Sequence, residues 1–209
     1  MKKSLLARLR SGGFTMIELL IVIAILGILA VLVLSAINPL EQINRGRDTA
    51  KRSDAEQLLS AVERYNAFQT TYPWRTDGND TTEISTIDQV TDAYPVDDSG
   101  CAMMDKLAQG SSGGGVTCVG TEELKASYLD RITNFAAARG LYIVNEDSDD
   151  TAMNTYVCFS PESNAFEQEA TQRCAGGAPT DLTGSWATIC NTGGTGNAAG
   201  EQKPMVCLP

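Results

Sequence analysis

Histidine is absent from all 209 residues. That absence removes Ser-His-Asp and Cys-His catalysis and the commonest protein ligand for zinc and haem iron. No Gly-x-x-x-x-Gly-Lys phosphate loop occurs, and the glycine runs Gly113 to Gly115 and Gly193-Gly194 follow Ser or Thr, so they read as surface loops. Basic residues are scarce in the C-terminal part, where Thr76 to Pro209 holds 6 against 20 acids. A surface of that sign repels phosphate backbones, because nucleic-acid affinity rests on Lys and Arg displacing counterions, and direct nucleic acid binding is disfavoured. Adjacent carboxylates such as Asp97 and Asp98 are a remaining route to acid-base chemistry, but in a polar loop they read as solvated surface. The chain is not expected to be an enzyme.

Long apolar runs are also lacking, with one exception: Phe14 to Leu34, in which Glu18 is the only charge. With Ser35 to Ile37 the run reaches the roughly 20 residues that span a bilayer as a helix. A carboxylate inside such a helix costs about 2.5 to 3.5 kcal/mol at the centre and less near an interface, so Glu18 needs a partner or a function. The preceding MKKSLLARLRSGG carries Lys2, Lys3, Arg8 and Arg10 and no acid, the pattern that keeps a leader on the cytoplasmic side. An ordinary secretory signal places its apolar region before the cleavage site. Here Gly12-Gly13 comes first, so a cut after Gly13 would remove the bases and keep the membrane helix.

Gly13 followed by Phe14-Thr15-Met16-Ile17-Glu18-Leu19 resembles the type IV prepilin signature shared by pilins and by the pseudopilins of type II secretion and DNA uptake. The resemblance implies a membrane prepilin peptidase that cuts between Gly13 and Phe14 and methylates the new amine. It also implies that Glu18 pairs with the Phe14 amine of a neighbouring copy, since a buried carboxylate is tolerated when matched by opposite charge. The implied function is a structural subunit of a helical type IV pilus serving adhesion, motility or DNA uptake. Its implied partners are other copies of the chain, the peptidase, an assembly platform and a cytoplasmic ATPase. The implied location is the cytoplasmic membrane, with the N-terminus inside, and then the cell surface. A pseudopilin is the neighbouring alternative, and a membrane-anchored binding protein that does not polymerise is the alternative of another class.

Cysteine is missing from the first hundred residues and then occurs six times, at Cys101, Cys118, Cys158, Cys174, Cys190 and Cys207, with no Cys-x-x-Cys pair. An even number without metal spacing reads as disulfides and hence as an oxidising compartment, in agreement with a head outside the cytoplasmic membrane. Six cysteines allow 15 connectivities. Sequential pairing, 101 with 118, 158 with 174 and 190 with 207, is the expected one, each loop stabilising by roughly 3 kcal/mol in the chain-entropy account.

The formal charge is −10, and without the four leader bases 12 basic and 26 acidic residues remain, or −14. The expected organisation is a leader at 1–13, a membrane and fibre-core helix at 14–37, an amphipathic stalk helix at 38–72 and a globular head at 73–209. Pro39 is expected to kink one helix running from Phe14 to Gln69, about 84 Å long. Leu58, Val62, Tyr65 and Phe68 form a one-sided stripe expected to pack on the head, whereas Arg45, Arg47, Lys51 and Arg52 read as a solvated face with i,i+4 pairs. Tyr72 to Ser99 reads as a long surface connection. Ser99 is expected to cap a short helix ending at Leu107, and Thr121 a longer one with Leu124, Tyr128, Leu129, Ile132 and Phe135 on its core face. Ser160-Pro161-Glu162 reads as a helix start. Leu141 to Val144, Thr155 to Phe159, Trp186 to Cys190 and Met205 to Leu208 are expected strands. The fold class is α+β, a long N-terminal helix packed on a small antiparallel, disulfide-stapled sheet. Glu146, Asp147, Asp149 and Asp150 offer hard oxygen ligands that calcium prefers but lack an EF-hand pattern, so the loop reads as solvated. No cofactor is expected.

Overall fold

The computed structural model describes residues 13–77, 84–92, 95–113, 116–133, 140–146, 154–180, 182–192 and 196–209. The chain forms two compact units that divide between Leu40 and Glu41. The first is built on α1, Met16–Ala36. Its 21 residues rise about 32 Å, close to the roughly 30 Å hydrocarbon thickness of a bilayer. Among the described residues it holds the one helix long and apolar enough to cross a membrane, Met16–Ser35.

The expected single helix from Phe14 to Gln69 is instead two. Ile37 is extended (φ −102°, ψ 128°), and α2, Pro39–Gln69, starts afresh. Pro39 has no N–H to give and crowds the carbonyl four residues back, while pushing Asn38 out of the helical region. At the first position of a new helix neither defect matters. At its other end α2 stops at Gln69 as expected: Thr70 turns left-handed (φ 57°), its N–H closing on the Asn66 carbonyl at 2.8 Å.

The second unit continues with β1 Ile84–Gln89, α3 Met103–Leu107, β2 Gly110–Gly113, β3 Val116–Val119, α4 Ala126–Thr133, β4 Leu141–Asn145, β5 Thr155–Phe159, α5 Asn164–Ala175, α6 Trp186–Ile189 and β6 Val206–Leu208. The order β1-β4-β5-β6 makes an antiparallel four-stranded sheet, so the architecture is α+β and pilin-like. In β4 and β5 every residue is buried, because alternate residues face two different covers. Leu141, Ile143, Val157 and Phe159 pack with Leu58, Val62 and Tyr65 of α2. Tyr142, Val144, Tyr156 and Cys158 pack with Leu182, Ile189 and Met205.

Several expectations are corrected. Phe68 is 77% exposed, off the buried face of α2. The supposed surface connection from Tyr72 to Ser99 contains β1 and the fully buried Trp74, stacked on Tyr72 at 4.7 Å. Residues from Trp186 form a helical turn rather than a strand. Ala102, not Ser99, precedes α3. Thr121 donates its hydroxyl to the Lys106 carbonyl instead of capping α4, and Ser163 caps α5. Leu124, Tyr128 and Ile132 are in the core as expected; Phe135 lies outside the described residues. Gly113 belongs to a strand rather than a loop, in the hairpin β2–β3. Gly120 follows β3 at the open end of that hairpin, where a Cβ would stand 2.0 Å from the Ala108 carbonyl oxygen, so only glycine fits. Gly114, Gly115, Gly193 and Gly194 lie outside the described residues.

The six cysteines form three disulfides, Cys101–Cys118, Cys158–Cys207 and Cys174–Cys190. Sequential pairing holds only for the first. Cys158 and Cys207 are register partners on β5 and β6, with Cα atoms 4.0 Å apart, which leaves Cys174 near the end of α5 to meet Cys190 after α6.

The basic cluster on α2 is also less solvated than its sequence implies. Arg45 makes an i,i+4 contact with Glu41, but Arg47 and Lys51 reach Glu162 at 3.0 and 3.1 Å, and Arg52 reaches Glu169 at 2.5 Å while lying over the Phe166 ring. At the centre sits Asp48, fully buried. It accepts from the backbone N–H groups of Glu162 and Ser163 at 2.9 and 2.7 Å and from the Ser163 hydroxyl at 2.7 Å. An acid of α2 thus anchors the segment that opens α5.

Asp48→Ala leaves those buried donors without their acceptor and should lower stability by about 3 kcal/mol. The exposed neighbour change Thr49→Ala should stay within about 0.5 kcal/mol. Chemical unfolding of the full chain, followed by near-UV circular dichroism, measures both; equal midpoints would remove Asp48 as an anchor.

Candidate processing and assembly site

The residues singled out by sequence, Gly13, Phe14 and Glu18, lie at the start of the first unit. Gly13, Phe14 and Thr15 are non-helical, and α1 begins at Met16. Thr15 is extended (φ −79°, ψ 149°) and is the N-cap. Its hydroxyl oxygen accepts from the Glu18 N–H at 3.3 Å, and the Glu18 carboxylate accepts from the Thr15 N–H at 3.5 Å. This reciprocal pair is a capping box, which satisfies two of the N–H groups that a helix start leaves without partners. The negative carboxylate also sits favourably at the positive end of the helix dipole.

The first rung of the helical ladder runs from Leu19 N–H to the Thr15 carbonyl at 3.2 Å, so the bond joining Gly13 to Phe14 stands outside the ladder. Phe14 is 82% exposed, and a Cβ added at Gly13 would meet nothing within 4 Å. Gly12 and the leader bases Lys2, Lys3, Arg8 and Arg10 lie outside the described residues. Thr15 is the residue that the motif reading overlooked. Its signal was present in the sequence as Thr-x-x-Glu directly before an apolar run.

The other candidates belong elsewhere. Asp97 is not solvated: it is buried, pairs with Lys106 at 2.5 Å, and accepts from Ser99 Oγ and the Cys101 N–H at 2.7 and 2.8 Å. Burial alone would raise its carboxyl, but the hydrogen bonds from Lys106, Ser99 and Cys101 outweigh burial and hold it below the usual carboxylate range. Asp98, by contrast, is exposed. Glu146 gives its two oxygens to the N–H groups of Gly184 and Ser185, at 2.7 and 2.5 Å, whereas Asp147, Asp149 and Asp150 lie outside the described residues. Among the described residues no cluster of three His, Cys, Asp or Glu side chains could hold a metal. A cavity of about 360 Å³ is lined mainly by apolar residues such as Leu182, Trp186, Ile189 and Met205. The guanidinium at its edge, Arg173, is engaged by the Cys207 carbonyl and by Glu169.

Residues 8–34 match the family described as the Prokaryotic N-terminal methylation motif, a prepilin-type signal. No curated protein and no solved structure matches the chain.

The Asp97–Lys106 pair gives the second unit an acid-sensitive element. A carboxyl held below its ordinary value in the folded chain contributes stability that is complete above its unfolded pKa, about 3.9. That stability is lost as pH falls through the lower folded value. Asp97→Asn should therefore lower stability by about 3 kcal/mol at neutral pH and flatten the stability profile below about pH 4. Unfolding midpoints across pH 2 to 7 check this; parallel profiles for the two chains would refute it.

Proposed function

We propose that this chain, whose residues 8–34 carry a prepilin-type signal, is a structural subunit of a type IV pilus. The observation that carries the reading is the placement of that signal. Gly13 and Phe14 lie just ahead of a membrane-length helix whose one charge is Glu18, in its first turn. The signal and the α+β fold support a pilin-like or pseudopilin protein with a structural rather than an enzymatic role.

Cutting after Gly13 frees a positive amine on Phe14 and discards the basic leader. Glu18, costly in lipid, then has a matched charge on a neighbouring copy. The same apolar helix serves as membrane anchor before assembly and as fibre core after it. The prepilin peptidase, the platform and the ATPase do the chemistry and the work. The stalk and head, from residue 38 onward, lie outside the cytoplasmic membrane, where the three disulfides form.

The test is intact mass and N-terminal sequencing of protein sheared from cells. A chain that begins at Phe14, with Glu18→Ala abolishing recovery of fibres, is the expected result. A chain that still begins at Met1 in membranes would overturn the pilus reading. Cleavage at Phe14 without surface fibres, accompanied by a secretion defect, would replace it with a pseudopilin.

A further inference from the structure

We infer that Thr15 is a positioning residue for the processing cut: its cap fixes where α1 begins and so keeps the Gly13–Phe14 bond outside the helix. The inference rests on the proposed processing of this chain at that bond. Two independent observations meet here. The prepilin-type signal at residues 8–34 places a peptidase substrate across this junction. The structure, separately, sets the helix boundary two residues beyond the bond to be cut.

The physical need for a boundary is plain. Hydrolysis adds water across the amide: hydroxide joins the Gly13 carbonyl carbon, the C–N bond breaks, and a proton goes to the Phe14 nitrogen. In a continuous helix the Gly13 carbonyl would accept the N–H of Ile17, and the peptide plane would be locked against its neighbours. The residues on both sides favour helix. Ser-Leu-Leu-Ala-Arg-Leu-Arg precedes the junction and Met-Ile-Glu-Leu-Leu follows it, with Gly12-Gly13 as the only weak link. Thr15 adds a definite stop. Its extended backbone and its hydroxyl bond to the Glu18 N–H start the ladder at the Thr15 carbonyl, leaving the Gly13 carbonyl out of it. Without the cap, α1 either frays past Met16 or grows upstream through Phe14. In both cases the Gly13–Phe14 bond loses its fixed register to the first helical turn.

The arrangement also separates two roles of Glu18. A glutamine at the same position can complete a capping box, since its amide oxygen accepts as the carboxylate does. Charge and cap can therefore be removed one at a time.

The experiment is a cleavage time course of the full precursor in lipid vesicles with a prepilin peptidase, read by mass at the Gly13–Phe14 bond. Thr15→Ala should slow the cut about five-fold, the population change expected from losing a typical N-cap. Thr15→Ser should restore the wild-type rate. Amide hydrogen exchange at Glu18 should quicken in Thr15→Ala alone. Equal rates for the wild type, Thr15→Ala and Thr15→Ser would overturn the positioning role while leaving processing intact. A wild-type chain that is not cut after Gly13 would overturn the processing reading itself.

Discussion

A sheet whose central strands are buried at every position has to be covered on both faces, and the second unit is arranged around that requirement. Leu-Tyr-Ile-Val-Asn and Thr-Tyr-Val-Cys-Phe pair antiparallel, with Leu141 opposite Phe159 and Ile143 opposite Val157. One face takes α2 as its cover, a long amphipathic helix that supplies Leu58, Val62 and Tyr65. The other face receives a short and loop-rich cover, with Leu182, Ile189 and Met205 drawn from three separate stretches. Full burial of such a side chain contributes about 1.5 to 3 kcal/mol, but ordering an irregular loop residue costs a comparable 1 to 2 kcal/mol. The second cover is also where two of the three disulfides fall, Cys158–Cys207 and Cys174–Cys190. Covalent closure limits the freedom of the unfolded chain in the place where burial alone has the least margin.

The polar anchor on the first cover follows the same logic. A helix held by an apolar stripe is free to slide or rotate; a buried carboxylate with three aimed donors is not. Asp48 fixes α2 against the start of α5, and Arg47, Lys51 and Arg52 extend that contact along the helix to Glu162 and Glu169. Burial would raise the Glu162 carboxyl, but hydrogen bonds from Lys51 and Arg47 hold it below its ordinary value, so it stays charged. Register is thus set by directional bonds, and the surrounding burial supplies the affinity.

The parts legible in the sequence are those decided within a few residues. The apolar run of α1, the stop after Gln69 and the strand pair Leu141 to Val144 with Thr155 to Phe159 each carry their signal locally. The signature at Gly13, Phe14 and Glu18 is equally local, and so was the cap at Thr15, which the run of Thr-x-x-Glu already spelled. What could not be read depends on distant partners. Ile-Ser-Thr-Ile-Asp-Gln resembles a loop because it is a sheet-edge strand with an irregular register between Ile84 and Asp88. The disulfide pattern follows from which residue of β6 lies opposite Cys158, a matter of register rather than spacing. Arg47, Lys51 and Asp48 look like any charged helix face until α5 is in place. Phe68, apolar but at the rim of the stripe, is exposed one residue from the end of α2, beyond Tyr65, the last buried residue of that helix.

The first unit poses the opposite physical problem. From Phe14 to Leu34, sixteen large apolar side chains are 46% to 91% exposed. Leaving each of them half in water forgoes roughly 1 kcal/mol or more, which for the whole helix is on the order of 20 kcal/mol. That exceeds the 5 to 15 kcal/mol by which an entire domain is usually stable. Such a helix is poorly suited to water by itself, and its length and apolarity are consistent with a place in lipid. In lipid its backbone is satisfied internally, and its first turn, where N–H groups would otherwise lack partners, is closed by Thr15 and Glu18. Helices lifted together into water gain a hydrophobic attraction that lipid does not provide. In the fibre proposed for this chain the one charge would decide which arrangement of copies is allowed, because a carboxylate at the edge of that apolar surface tolerates only a neighbour that brings it a positive group.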